Sequence, residues 1–444
     1  MKKITKITIT GIFISVAFGF IWHIGYSQNI IQDQEMQSSF MGSILATSDA
    51  DMLATAYADG ILNKVNGIED SLSLVKVVNG KPIMVSQKSV SNSVISWPSI
   101  IAWNSNVKLA YIAETRGIFE KPEQVVDDVW KDLPQGRKVS VVDYNDPNHP
   151  NLVQSIDVGE NIQGVSINAS SDLLVSGTTE PGKEIMIATL VQGKITSRFY
   201  FSNPDILRKK DNNSGIRTIE FHPTKNIIAV NLNNTHLVFY RINKKDSLIN
   251  IEQIGESMEV AKRWSVGNWH PSGNFFILTD VAWGNGTMGA IFNGKGKLIS
   301  INFNSNGNHK IVSTTKVGLS PEGFDISRDG KYAVVANMRR TYGPKKMWFV
   351  PARKNASLSL VKIDKDSGVL TTLGKEYLFE GALPEDAIFD LESNSIAVAV
   401  YQKQDEEFPK QGWIDFWELK NDQLVKTGCR IHLTRGVHNL LLIE

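Results

Sequence analysis

The stretch Ser320–Asn337, SPEGFDISRDGKYAVVAN, decides the fold. Two apolar runs, Gly323–Ile326 and Tyr332–Ala336, flank Ser-Arg-Asp-Gly-Lys, a sequence suited to a tight turn. Side chains in a strand alternate between faces, so this is a hairpin of two short strands. The same double strand recurs along the chain. Copies begin at Asp51 (DMLATAYADG, in which only the second run is clear), Ser99, Gly164, Arg217, Val266, Pro321 and Pro384. The spacing is roughly 50 to 65 residues, the range of a repeat architecture. Between copies lies a further strand pair, such as KVSVVDYNDPNHPNLVQSIDV from Lys138 or LSLVKIDKDSGVLTTLGKEYLF from Leu358. Four strands per unit and seven units predict an all-β chain, a seven-bladed β-propeller. A propeller must hide the edges of its first and last blades. The final strand VHNLLLIE, from Val437, is expected to join the first blade, whose own opening strand is weakest, and to bury Leu440 and Leu442. Helix is expected only in the N-terminal leader and in the loop Glu114 to Arg137, which carries PEQVVDDVWKDL.

The ends of the chain set the domain plan. Lys2, Lys3 and Lys6 precede the apolar run Ile7 to Ile24, and Gly25-Tyr26-Ser27 places small residues before Gln28. That is the layout of a secretory signal peptide over 1–27; an uncleaved anchor is the alternative, because the run is nearly long enough to span a bilayer. A linker over 28–39 and one propeller over 40–444 complete the plan, with the propeller in the periplasm or outside the cell. The full chain of 444 residues has 47 Lys and Arg against 46 Asp and Glu, a net +1. Removing the three leader lysines leaves −2, and no basic block marks a nucleic-acid partner. The single cysteine, Cys429, excludes an internal disulfide, a multi-cysteine zinc site and a CxxC motif. It reads as a small buried hydrophobe. No HExxH, Gly-x-Ser-x-Gly or phosphate-loop pattern occurs. Asp364-Lys365-Asp366-Ser367-Gly368 reads as a turn between outer strands, and His222-Pro223 and His270-Pro271 as structural turns. No cofactor and no metal are expected.

The segment Ser320–Asn337 resembles the repeat of the YVTN and lactonase-like seven-bladed propellers: a Pro-x-Gly start, an Asp-Gly-Lys turn and a strand ending in Asn. Arg328 stands where that family usually has Pro. The resemblance, at repeat level over most of 40–444, implies a propeller. It allows several activities, among them lactone hydrolysis, because a fold does not settle a function.

Three long insertions, Glu114 to Arg137, Met338 to Asn355 and Gln402 to Gln411, would gather on one face, where long loops carry function. At the channel mouth on that face the expected catalytic residues are Glu322, Glu385, His438 and Arg217. Trp97, Glu114, Arg116, Arg263, Asn337, Arg339, Asp386, Lys403 and Arg435 are expected to contact the ligand, and Asp280 ends a nearby strand. Neighbouring carboxylates at 322 and 385 would split into an acid and a base; Arg217 would hold an oxyanion and His438 would shuttle a proton. The residues suit an exported hydrolase, monomeric, acting on a small carbohydrate-derived lactone or ester. The alternative is a non-catalytic propeller presenting Trp130, Tyr342, Trp348, Phe349 and Trp413 to a protein or glycan. A redox-associated propeller ranks last.

Overall fold

The computed structural model describes residues 37–92, 99–118, 125–126, 129–203, 215–284, 286–344, 354–404, 406 and 408–444. The leader lies outside the described residues, as do Trp97, Trp348 and Phe349. Among the described residues no helix is long and apolar enough to cross a membrane.

Seven four-stranded antiparallel sheets make up the fold. The sixth shows the common plan. Its inner strand Pro321–Ile326 pairs with Tyr332–Asn337, then Asn355–Ile363, and Leu370–Glu380 lies outermost. Burial follows position. Second strands such as Phe275–Asp280 and Ser395–Val400 are buried along their whole length, which is why they read as unbroken apolar runs. The outer strand Asn151–Asp157 meets solvent along most of its length.

The first sheet takes its inner strand from the far end of the chain. Val437–Ile443 runs antiparallel to Ser43–Ser48, with Ser43 opposite Ile443 and Thr47 opposite Asn439. This is the expected closure. Leu440 is buried and Leu442 half-buried, and both pack against Phe40, Ile44 and Phe416.

The first blade was misplaced in the sequence. Its second strand is Ser43–Ser48, and DMLATAYADG instead contains the single-turn helix Ala56–Asp59. Met52, Ala54, Ala56 and Ala58 are apolar because they are buried in a loop cluster, and over ten residues that cannot be told from a strand. A second short helix, Gly286–Ile291, also lies outside the loop expected to carry helix, which itself holds Val129–Asp132.

Short turns between first and second strands chain the blades together on one face. His222 Nε2 donates to Gly273 O in the next blade at 3.1 Å, and His270 Nε2 donates to Gly330 O at 3.0 Å. Each Nδ1 accepts a backbone N–H of its own turn. A Cβ at Gly273 or Gly330 would lie 2.4 Å from the preceding imidazole, so only glycine fits. Asp364 closes its own turn by accepting from Asp366 N and Ser367 N.

Candidate functional site

Each inner strand begins at the face that carries the insertions, so the residues at these beginnings form a ring around one end of the channel. Going round from the third blade, the ring contains Gln163, Arg217, Arg263, Glu322, Glu385 and, on the closing strand, His438. Glu322 is 1% exposed, and Glu385 and His438 are fully buried. Arg217 and Arg263 are half-buried.

The two glutamates are neighbours, as their equivalent positions on adjacent blades require. Gly323 N donates to Glu385 O at 2.8 Å. Burial, followed by the charges of Glu385 and Asp386, holds the Glu322 carboxyl well above the usual range; Arg263 pulls it the other way. Neither carboxylate oxygen of Glu322 has a hydrogen-bond partner, and neither does Arg263 Nε. The Arg263 guanidinium lies 5.9 Å from the Trp283 ring centroid. Arg217 Nη1 donates to Gln163 Oε1 at 3.2 Å.

His438 Nε2 is 2.9 Å from Asn92 Oδ1. Asn92 Nδ2 donates to Val90 O and Ser71 O, so its oxygen must accept, and His438 carries its proton on Nε2. Nδ1 is then a buried lone pair without a partner. Burial pushes the imidazole down to about 3, so it stays neutral at physiological pH. A proton shuttle needs both forms near neutrality, and His438 is not tuned for that role.

Most of the other residues expected to contact a ligand bond to neighbouring backbone or side chains. Asp386 Oδ2 accepts from Asn439 Nδ2 at 2.8 Å and from Leu440 N at 2.9 Å, joining the seventh blade to the first. Asn439 Oδ1 in turn accepts from Ile100 N and Ile101 N of the second. Arg435 donates to Ala50 O and Pro409 O. Glu114 accepts from Arg137 N, and Arg116 donates to Leu133 O, both within one insertion. Asn337 is fully buried between Gly318 N and Ser357 O. Arg339 faces Glu376 at 3.4 Å on the flank between the fifth and sixth blades, Lys403 is exposed, and Asp280 accepts from Arg263 N. Trp97 lies outside the described residues.

Above the ring the insertions form a lid. Met52, Ala54 and Leu62 of the first blade, Val129 and Leu133 of the second, Trp283 and Ile291 of the fifth, Met338 and Tyr342 of the sixth and Tyr401 of the seventh make one buried apolar cluster. Ser320 Oγ pins it from below, within hydrogen-bond distance of Trp283 Nε1, Asn293 Nδ2 and the Tyr342 hydroxyl. The expected insertions therefore share a face, but two more contribute, from the first and fifth blades. Tyr342 is 1% and Trp413 4% exposed, so neither offers the aromatic surface that a binding propeller was expected to present.

Sequence reading missed the acids on the first blade. Asp49, Asp51 and Asp70 are buried near Arg435 and Tyr401. The Asp-Ala-Asp spacing was visible, but the misplaced first repeat hid its position. Among the described residues no group of three or more His, Cys, Asp or Glu is arranged to hold a metal ion.

No protein-family model matches the chain, and no curated protein matches it by sequence. The YVTN label therefore has no family match behind it. Solved structures do match. The periplasmic gluconolactonase PpgL of Pseudomonas aeruginosa superposes with a TM-score of 0.64 at 12% identity, over 90% of this chain and 99% of that one. A Bacteroides fragilis protein described as a 6-phosphogluconolactonase gives 0.62 at 15%, over 91% and 99%. A functionally unknown protein from Desulfotomaculum acetoxidans gives 0.57 at 10%, over 90% and 98%. At these identities the likeness shows the shared fold.

Proposed function

We propose that the chain is a lactonase-like hydrolase, exported by its leader, that opens a small carbohydrate-derived lactone or ester at the ring beneath the lid. One observation carries this reading. Glu322 is a buried carboxyl with both oxygens unpartnered, next to a second carboxyl and within electrostatic reach of an arginine whose Nε is also unpartnered. Buried polar groups in folded proteins are nearly always partnered, so such a set is organised for a ligand or for water. The lactonase names of two structural neighbours agree with the reading.

The chemistry follows from the pair. Two adjacent buried carboxyls resist double ionisation, so one remains a carboxylate and the other an acid. The carboxylate takes a proton from water as the oxygen attacks the lactone carbonyl carbon. Arg263 faces the oxyanion that forms. The acid then protonates the ring oxygen as the C–O bond breaks, giving a hydroxy acid. Arg217 and Arg263 reach solvent and would meet the substrate first. The partner is a small polar molecule.

The test is hydrolysis of a panel of sugar δ- and γ-lactones by the mature protein, compared with Glu322→Gln and Glu385→Gln. Each variant should lose roughly a hundredfold or more in kcat/KM, the ordinary contribution of general acid–base catalysis. If both folded variants stay within about twofold of the parent, the carboxyls contribute less than about half a kcal/mol and the assignment fails.

A further inference from the structure

The backbone of Arg263 is fixed firmly, and its side chain much less so. Arg263 N and Ala282 N both donate to Asp280 Oδ1, at 3.1 and 2.9 Å, and Val281 N donates to Arg263 O at 3.1 Å. Arg263 and the base of the fifth-blade insertion are therefore one unit. Among the described residues no hydrogen bond or ion pair holds the guanidinium, and Nε has no partner. What faces it is the next residue of that insertion but one after Val281: the Trp283 ring, 5.9 Å away, within the roughly 6 Å at which a cation is attracted to an aromatic face.

The indole is itself anchored. Trp283 is buried, packs on Tyr342 with 5.6 Å between ring centroids, and donates from Nε1 to Ser320 Oγ at 3.1 Å. Asn293 Oδ1 accepts from Arg340 Nε, which turns Asn293 Nδ2 towards the same Ser320 oxygen, at 2.7 Å. Both lone pairs of Ser320 are then used, so its proton goes to the Tyr342 hydroxyl at 3.2 Å. The Tyr342 proton goes on to Ala290 O at 2.9 Å. Every member has its partner, and a fully satisfied buried network holds one arrangement. Ser320 stands two residues before Glu322, and the Tyr342 hydroxyl is within electrostatic reach of that carboxyl. The network thus ties the strand that bears Glu322 to the indole that faces Arg263.

We propose that Trp283 is a positioning residue, its ring held by Ser320 so that it aims the Arg263 guanidinium at the carbonyl oxygen of a substrate bound at Glu322. The chemistry of this inference rests on the hydrolase reading; the aiming rests on the contacts alone. A carboxylate partner would occupy the donors of an arginine. A ring face attracts the cation and leaves its N–H groups free for an oxyanion.

The test is kcat and KM for a sugar δ-lactone, measured on the mature parent, Trp283→Leu, Trp283→Phe, Arg263→Gln and the double variant Trp283→Leu/Arg263→Gln, with melting temperature confirming the fold. Trp283→Leu should lose about tenfold or more in kcat and change KM little, because the oxyanion exists only in the transition state. Trp283→Phe keeps an aromatic face without the Nε1–H, and should lose less than Trp283→Leu but about threefold or more. It carries the comparison by itself if Trp283→Leu does not fold. In the double variant no guanidinium is left to aim, so kcat should match Arg263→Gln within about twofold, whereas an independent packing defect would multiply the two losses. Crystal structures of the parent and the Trp283 variants need no turnover: the guanidinium should lie against the indole in the parent and leave that place in Trp283→Leu. The inference is overturned if the guanidinium keeps its place there, if the losses multiply, or if the folded Trp283 variants stay within about twofold of the parent while Arg263→Gln does not. No turnover by the folded parent, or none lost in Arg263→Gln, overturns the hydrolase reading and the catalytic use of the aiming with it; the crystal structures then judge the aiming itself.

Discussion

Glu220 shows how one half-buried carboxyl ties stability to pH. In the unfolded chain its carboxyl ionises near the ordinary glutamate value; in the folded chain it holds its proton up to about 8. Between those values the folded state binds more protons than the unfolded state, so stability falls as pH rises. Asp386 and Asp325 act in the same direction, with folded values of about 7 and 6. His222 and His438 act oppositely below about pH 6, because burial pushes them to about 4 and 3. The difference between parent and Glu220→Gln isolates the glutamate. The two should melt together near pH 5, and the variant should melt a few degrees higher near pH 9, where the parent must bury a charge. Differential scanning calorimetry reads this; equal melting temperatures at both pH values would show that Glu220 is not held protonated. At this scale the sequence was partly legible. The ring positions of Glu322, Glu385 and Arg263 were legible because each sits at the same place in its repeat. Those of Glu220 and Asp325 were not, because an acid inside a strand gives no sign of facing a channel. The fates of Asn337 and Arg435 depended on which backbone groups they meet, and that is a tertiary fact.

The closing strand carries the largest consequence among the elements. Val437, Leu440 and Ile443 are buried, and Asn439 joins the first, second and seventh blades through its amide. Burying an aliphatic side chain contributes about 1.5–3 kcal/mol, so losing three removes about 4.5–9 kcal/mol, comparable to the stability of a whole domain. Deleting 437–444 should leave a chain that fails to accumulate or melts at least about ten degrees lower. A truncated protein that melts with the parent would contradict the closure. This strand was legible because an apolar run at the chain end had no partner nearby in sequence. The single-turn helices Ala56–Asp59 and Gly286–Ile291 were not, because four to six residues are too few to show a helical period. The turn histidines were placed correctly as structural, yet their pairing with a glycine of the following blade appears only once the blades are side by side.

For the whole molecule, the sevenfold repeat predicts everything that depends on repetition and nothing that breaks it. The lid is built from insertions of unequal length on five blades, and it turns an expected open mouth into a covered ring. The covering matters to the chemistry. Burial keeps the Glu322 proton in place and strengthens every charge interaction beneath the lid, including that with Arg263. The most direct measurement is kcat/KM for a sugar δ-lactone, made on the parent and on Arg263→Gln, with melting temperature confirming that both are folded. The account expects turnover by the parent and a loss of roughly a hundredfold in the variant, as for removal of one oxyanion donor. No turnover of any lactone by the folded parent, or a folded variant within about twofold of it, would contradict the account.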